Sequence, residues 1–176
     1  MSRIGKLPIK VPNDIKVSID GNTITLTKGN KVRSYNFGDT VNVKFENQEI
    51  EVSKNEQIAK RSNFWGLHRN NIHNLVVGLA EGFKNILEFE GVGYRAAVSG
   101  KFLVLGLGYS HDIALLIPDE ISIKVDKNLI IIEGCDKELV GRIGARIISF
   151  RETEPYKGKG IKKQGQYVVR KEGKKK

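Results

Sequence analysis

The chain has one cysteine, Cys135, and three histidines, His68, His73 and His111, in 176 residues. A lone thiol cannot form an internal disulfide, and a zinc site built on clustered cysteines is excluded. This suits a reducing compartment. His68 and His73 are five apart on a stretch with helical periodicity, not the four that puts two ligands on one helix face. No metal role is expected, and His68 reads as a residue at the edge of the core. Cys135 sits between a strand and a helix, with no residue pattern that aims a base at it. All four side chains are expected to be dispensable for binding. No run approaches the ~20 apolar residues of a membrane span, and no membrane partner is expected. The opening MSRIGKLPIKVP has a basic start without an apolar stretch, so it reads as neither a secretory signal nor a transit peptide. The protein is expected to work where it is made, in the cytoplasm.

Glycine is not scarce, yet its arrangement excludes the common nucleotide motifs. EGVGYR at Glu90 and GLGYSH at Gly106 each contain GxG, but neither continues as GxGxxG into a helix. GKG at Gly158 has the Gly-Lys pair of a phosphate loop, with Gly160 where Ser or Thr is needed and Thr153 where the first glycine belongs. Gly91, Gly93, Gly106 and Gly108 read instead as bulges or close backbone approaches in strands. No convergent set of polar groups marks a catalytic centre. The sequence reads as no enzyme, with no catalytic residue, no cofactor and no small-molecule substrate.

What the chain has in excess is positive charge, and it is concentrated. The formal net charge is +10. Residues 157–176 hold nine Lys or Arg and one acid, Glu172, which leaves 21 bases and 19 acids in the first 156 residues. A nearly neutral body thus carries a basic C-terminal block. Such a block repels itself in water and is expected to stay mobile until a polyanion neutralises it. The plainer function of the lysines after Gly173 is a solubilising tail.

The sequence also repeats itself. At an offset of 79, Ile19, Gly21, Ile24, Leu26 and Gly29 meet Val98, Gly100, Leu103, Leu105 and Gly108. At an offset of 80, Val41–Phe45 meets Ile121–Val125, and Ile50 and Val52 meet Ile130 and Ile132. Both halves read as strand, tight turn and strand with apolar alternation, followed by a helix. The first helix is expected over Gln57–Leu79, with Trp65, Ile72, Val76 and Leu79 as its apolar stripe. The second is expected over Asp136–Phe150, with Leu139, Ile143 and Ile147 facing inward and Asp136 as N-cap. A rival alignment at offset 106 sets VPNDIKVSIDGN at Val11 against IPDEISIKVDKN at Ile117, but it breaks the element order. The expected fold is α+β: two tandem duplicated domains, 1–82 and 83–176, each an antiparallel sheet with one helix packed on one face.

The segment Glu154-Pro-Tyr-Lys-Gly-Lys-Gly-Ile161, followed by Lys162 and Lys163, combines an aromatic ring, two glycines and four lysines. Pro155 ends the helical pattern and is expected to set an extended entry. Tyr156 can stack on a base or ribose. Lys157 and Lys159 would point the same way from an extended chain. Gly158 and Gly160 let the backbone approach a phosphate closely. This chemistry suits docking on an RNA backbone, and the alternative is a solvated loop. Arg142 and Arg146 share one helix face beside Gly141, Gly144 and Ala145, a slim face that fits either the sheet or an RNA backbone. Arg3, Lys6 and Lys10 form a small basic arm, and Lys60, Arg61 and Arg69 could touch RNA or simply be solvated.

These motifs, in this order, resemble the family of the sixth protein of the large ribosomal subunit in its bacterial or organellar form, which implies a place on a cytoplasmic or an organellar ribosome. SRIGKLPI at Ser2, EGVGYRA at Glu90, LGLGYSH at Leu105, LVGRIGARI at Leu139 and EPYKGKGI at Glu154 carry the resemblance, which covers nearly the whole chain. Thr153 departs from a proline usual in that family. His68, Asn70, Asn71 and His73 stand where smaller or apolar residues are more usual. The resemblance implies a duplicated α+β domain and contact with 23S-type ribosomal RNA mainly through the second domain. It also implies a place near the stalk base, among neighbouring large-subunit proteins, where translation-factor GTPases dock, with no catalysis. RNA contact would fall on Tyr156, Lys157, Gly158, Lys159, Gly160, Lys162 and Lys163, and on Arg142 and Arg146. The competing class is a stand-alone RNA-binding regulator or RNA chaperone. Co-sedimentation separates the two, because a ribosomal protein follows large subunits through a sucrose gradient.

Overall fold

The computed structural model describes residues 3–55 and 64–173. The chain divides into two compact units, Met1–Gly82 and Phe83–Lys176. In unit 1, β1 (Ile9–Lys10), β6 (Glu49–Lys54) and β5 (Val41–Glu46) form one antiparallel sheet, with Ile9 opposite Ile50 and Phe45 opposite Ile50. A second sheet joins β2 (Lys16–Asp20), β3 (Thr23–Lys28) and β4 (Lys31–Asn36). The helix α1 (Phe64–Ala80) packs on both. The expected positions 57–63 of this helix lie outside the described residues, as do Lys60 and Arg61.

Unit 2 has the same plan. The strands β7 (Phe83–Glu90), β12 (Leu129–Gly134) and β11 (Ile121–Asp126) form one sheet, and β8 (Arg95–Ser99), β9 (Phe102–Gly106) and β10 (Ile113–Leu116) form the other. The helix α2 (Lys137–Phe150) packs mainly on the β7 sheet. Each unit thus divides its strands between two sheets. Alternation along a strand reports which residues face inward but not which strand is the neighbour, so the division is invisible in the hydrophobic pattern. Unit 2 carries one strand more: β13 (Gly160–Lys163) pairs antiparallel with the free edge of β7.

The periodicities explain the helices. Trp65, Ile72, Val76 and Leu79 are the buried face of α1, as the spacing predicts. In α2 the buried face is Val140, Ile143, Gly144 and Ile147, with Leu139 only half-buried at its margin. Steps of four drift around a 3.6-residue helix, whereas i, i+3, i+4 and i+7 return nearly to the same azimuth. Asp136 caps α2, its Oδ1 accepting from the N–H groups of Glu138 (2.8 Å) and Leu139 (3.3 Å). In unit 1 the Trp65 indole N–H donates to the Val52 carbonyl at 2.7 Å. A Cβ on Gly5 would lie 2.5 Å from the same indole, so only glycine fits where the N-terminal arm crosses it. Arg69 holds that arm by donating to the Leu7 carbonyl at 3.1 Å.

His68 belongs to a structural network beside this core. The Tyr35 hydroxyl accepts from Asn71 Nδ2 (2.8 Å) and, with a neutral imidazole, can give its own proton to His68 Nδ1 (2.8 Å). The ring proton then sits on Nε2 and points to Thr40 Oγ1 (3.2 Å), which donates onward to the Phe37 carbonyl (3.5 Å). A neutral imidazole, accepting at Nδ1 and donating at Nε2, completes this chain of donors. Burial also lowers the His68 pKa from its ordinary 6.5. Just below 6.5 the unfolded chain takes up a proton that the folded unit refuses. This contribution is therefore complete above that pH and is lost as pH falls through the depressed folded value. Urea midpoints of the native chain should drop between pH 7.5 and pH 5. His68→Gln should show a smaller drop, and an undiminished one would place the acid sensitivity elsewhere.

Candidate RNA interface

The chain leaves α2 at Arg151 and crosses back to the sheet within ten residues. Ile161 is the anchor: it is 1% exposed, and its N–H donates to the Arg151 carbonyl at 2.9 Å. Thr153 Oγ1 donates to the Ile161 carbonyl at 3.2 Å, and Glu154 N–H donates to the Lys159 carbonyl at 2.9 Å. Residues 154–159 are thereby a closed turn, not the extended entry expected from Pro155. Pro155, Tyr156 and Lys157 form the bend itself. A proline fixes φ near the value of a turn's second position as well as that of an extended chain, so it could not decide between them. Gly160 makes the crossing possible. Its φ is +142°, and a Cβ there would meet Thr153 Cα at 2.5 Å and the Glu152 carbonyl oxygen at 2.6 Å.

The basic block is not a loose tail through its described length. Residues 160–163 are an edge strand, with Ile161 opposite Phe89 and Lys163 opposite Leu87. Further on, Lys171 N–H returns to the Pro155 carbonyl at 2.8 Å, and Arg170 crosses over Gly158. Together they enclose a groove of about 400 Å³ lined in part by Thr153, Lys162, Gln166, Tyr167 and Arg170. Tyr156 is 58% exposed and Tyr167 86%. The lysines after Gly173 lie outside the described residues.

The four lysines do not share one environment. Lys162 is half-buried, with Nζ 3.7 Å from carboxylate oxygens of both Glu88 and Glu90 on the neighbouring strand. Its charge is already matched inside the protein. Lys157, Lys159 and Lys163 make no ion pair among the described residues, and Lys157 and Lys163 are exposed. Arg142 and Arg146 are likewise exposed on α2, with unpaired guanidinium groups among the described residues.

The slim face of α2 serves two purposes. Gly144 is buried, and a Cβ there would lie 2.3 Å from Asn85 Nδ2, so that glycine makes room for the sheet. Gly141 faces open space, as does the exposed Ala145. Gly141→Ala should therefore raise stability by roughly 0.5–1 kcal/mol, the ordinary helix gain. Calorimetry and RNA titration of this variant separate two reasons for the glycine. Greater stability with weaker binding would mean that an RNA backbone lies against it, and unchanged binding would mean that it does not.

Sequence patterns missed two groups. Tyr167 and Arg170 carry no spacing signal, and only the return of the chain to Pro155 brings Arg170 over the turn. At the end of α2, the Arg151 guanidinium lies 5.0 Å over the Tyr109 ring, and hydrogen bonds to Tyr109 and Tyr94 raise its pKa further. Tyr109 donates to the Phe150 carbonyl at 3.0 Å, which satisfies one of the last carbonyls of α2. Cys135 is a free, half-buried thiol, and no group of three His, Cys, Asp or Glu among the described residues could hold a metal. No helix among those residues is long and apolar enough to cross a membrane.

Residues 90–164, which span the second unit from the end of β7 to the residue after β13, match the family model described as Ribosomal protein L6. A relative from Campylobacter hominis, named large ribosomal subunit protein uL6, is 47% identical over 174 residues, covering 99% of this chain and 98% of its own. The protein of that name from Erythrobacter litoralis is 45% identical over 177 residues and covers both chains completely. Another from a Nitratiruptor species is 47% identical over 174 residues, with 99% of this chain and 98% of its own covered. Identity at this level along the full length of both units shows that the chain belongs to the ribosomal protein L6 family, structural and non-enzymatic constituents of the large ribosomal subunit.

Proposed function

We propose that the chain binds 23S-type ribosomal RNA mainly through unit 2, with the Pro155–Lys159 turn and the strand after it as the anchor. From the resemblance of its motifs we infer further that it sits near the stalk base, beside the site where translation-factor GTPases dock. The observation that carries the RNA reading is the geometry of the turn. A loop closed by backbone hydrogen bonds and pinned by Ile161 in the core presents an exposed phenol and unpaired lysines at the most basic part of the chain. A backbone already closed into a turn has less conformational freedom to lose on meeting a phosphate, although the lysine side chains must still be ordered. Phosphate contacts supply affinity and register, while an aromatic ring can stack on an unpaired base. Arg142 and Arg146 supply a second cationic strip on α2.

Tyr156→Ala in the full chain tests this. Loss of a stack costs on the order of 1–3 kcal/mol and releases no counterions. Affinity for a large-subunit ribosomal RNA fragment should fall roughly 5- to 150-fold, with the slope of log K against log[salt] unchanged. Undiminished affinity would remove the turn from the interface.

A further inference from the structure

The duplication supplies an internal control for surface chemistry. The β2–β3–β4 sheet of unit 1 and the β8–β9–β10 sheet of unit 2 occupy corresponding places, and their registers correspond residue by residue. In unit 1 the row Ser18–Thr25–Ser34 runs across the outer face, followed by the row Asp20–Thr23–Asn36. In unit 2 the corresponding rows are Ala97–Val104–Ala114 and Ser99–Phe102–Leu116. The inner faces are alike: Ile24 and Leu26 in one, Leu103 and Leu105 in the other, all fully buried. So the same six outer positions are all polar in one copy, and in the other they are hydrocarbon at every position but Ser99. Phe102 is 47% exposed and Leu116 57%, and they lie opposite each other. On unit 1 the outer face has one aliphatic residue at its far end, Val32.

The fold does not require this chemistry, because unit 1 builds the same sheet with polar residues. The rim indicates what covers it. Arg95 donates to both carboxylate oxygens of Asp112 (3.2 and 2.9 Å) at one end, and Lys101 to Asp119 (2.8 Å) at the other. Each cation on this rim is matched, in a chain whose net charge is +10. A polyanion would find no unpaired cation there and would have to desolvate against hydrocarbon. A second copy is also a poor occupant. Three strands about 4.8 Å apart and two rows of side chains make a patch on the order of 200–300 Å². A stable interface needs about 800 Å² per partner. A patch of this size holds a small apolar element whose position is already fixed by other contacts.

We propose that the outer face of the β8–β9–β10 sheet is a docking surface for an uncharged apolar segment of a neighbouring protein in the large subunit. This rests on membership in the subunit and not on the RNA anchor. Replacing Phe102 with photoreactive benzoylphenylalanine in the full chain, and irradiating large subunits isolated from cells that make it, tests the proposal. The expected product joins position 102 to an apolar peptide of another large-subunit protein. An adduct to RNA or to a second copy, or no adduct in subunits that contain the variant, overturns it. A second arm exchanges five residues for their unit 1 counterparts: Ala97→Ser, Phe102→Thr, Val104→Thr, Ala114→Ser and Leu116→Asn. Its affinity for an isolated ribosomal RNA fragment should stay within about twofold of the parent, because the proposed anchor is untouched. In competition with the parent for places in the large subunit it should lose by about tenfold or more, the order expected when a large apolar contact is removed. Equal occupancy overturns the proposal. If the five exchanges prevent folding, the cross-link decides alone. The parent chain in the same large-subunit fraction separates failure of this surface from failure of subunit membership.

Discussion

Replacing Lys157, Lys159 and Lys163 together by alanine is expected to flatten the salt dependence of ribosomal RNA binding by roughly 2–3 units of log K per log[salt]. Each neutralised phosphate releases counterions that add about 0.7–0.9 to that slope. At 0.1 M salt the same contacts account for roughly a 10²- to 10³-fold difference in affinity, the largest effect expected from any surface change in this chain. Lys162→Ala should behave differently, although it lies in the same run of lysines. Its ammonium sits between Glu88 and Glu90, 3.7 Å from each, and joins β13 to β7. Its loss should leave the slope nearly unchanged and cost about 1 kcal/mol or less of stability, as partly exposed ion pairs do. The measurement is a salt titration on a large-subunit ribosomal RNA fragment, with each variant's folding checked by circular dichroism. An unchanged slope in the triple variant would shift the anchor to Arg142 and Arg146.

Gly160→Ala is expected to destabilise unit 2 strongly. Two costs add. A φ of +142° is a region that alanine avoids, worth about 1–3 kcal/mol. The new methyl group would also lie 2.5–2.7 Å from Thr153 Cα and the Glu152 carbonyl group, all backbone atoms that cannot rotate away. Overpacking of that kind costs about 1–3 kcal/mol more. The change should release β13 from β7, since Gly160 is the first residue of that pairing, opposite Glu90. Gly165→Ala is the control. Its φ is +76°, but its Cβ would meet nothing within 4 Å, so only the conformational cost of about 1 kcal/mol remains. Hydrogen exchange at the Gln164 amide, which donates to the Ile86 carbonyl of β7 at 3.0 Å, reads the strand pairing directly, and calorimetry reads the unit. The only tryptophan, Trp65, lies in unit 1, so its fluorescence monitors the other half of the chain. Protection in Gly160→Ala equal to that of the parent would mean that the turn can be rebuilt around a methyl group.

The apolar stripe of α1, the N-cap Asp136 and the strands around Gly21 and Gly100 are legible in the residues themselves. They follow from local periods of 3.6 and 2 and from turn chemistry. The repeat offset of 79–80 carries the register of one unit onto the other. The buried face of α2 differs from the spacing-based expectation in having Val140 for Leu139 and in including Gly144, because steps of four drift from the true helical repeat. For Glu154–Lys163 the residue types are informative and the conformation is not. Tyr156 is exposed on a turn, and Lys162 differs from its neighbours only because of which strand lies beside it.

The sequence by itself determined the class of fold, the duplication, the site of the excess charge and the absence of catalytic or metal-ligating patterns. Each of these depends on residues close together in the chain, or on composition. Tertiary structure alone decided that β13 completes the edge of β7, where Gly160 meets Glu90, 70 residues earlier. It also decided that Glu88 and Glu90 claim Lys162, that Arg170 returns over Gly158, and that Phe102 and Leu116 lie side by side on an open face. The physical reason is common to all of these. A strand's own pattern specifies which of its faces is apolar, but its partner is selected by long-range closure of the chain and by burial shared across the whole unit.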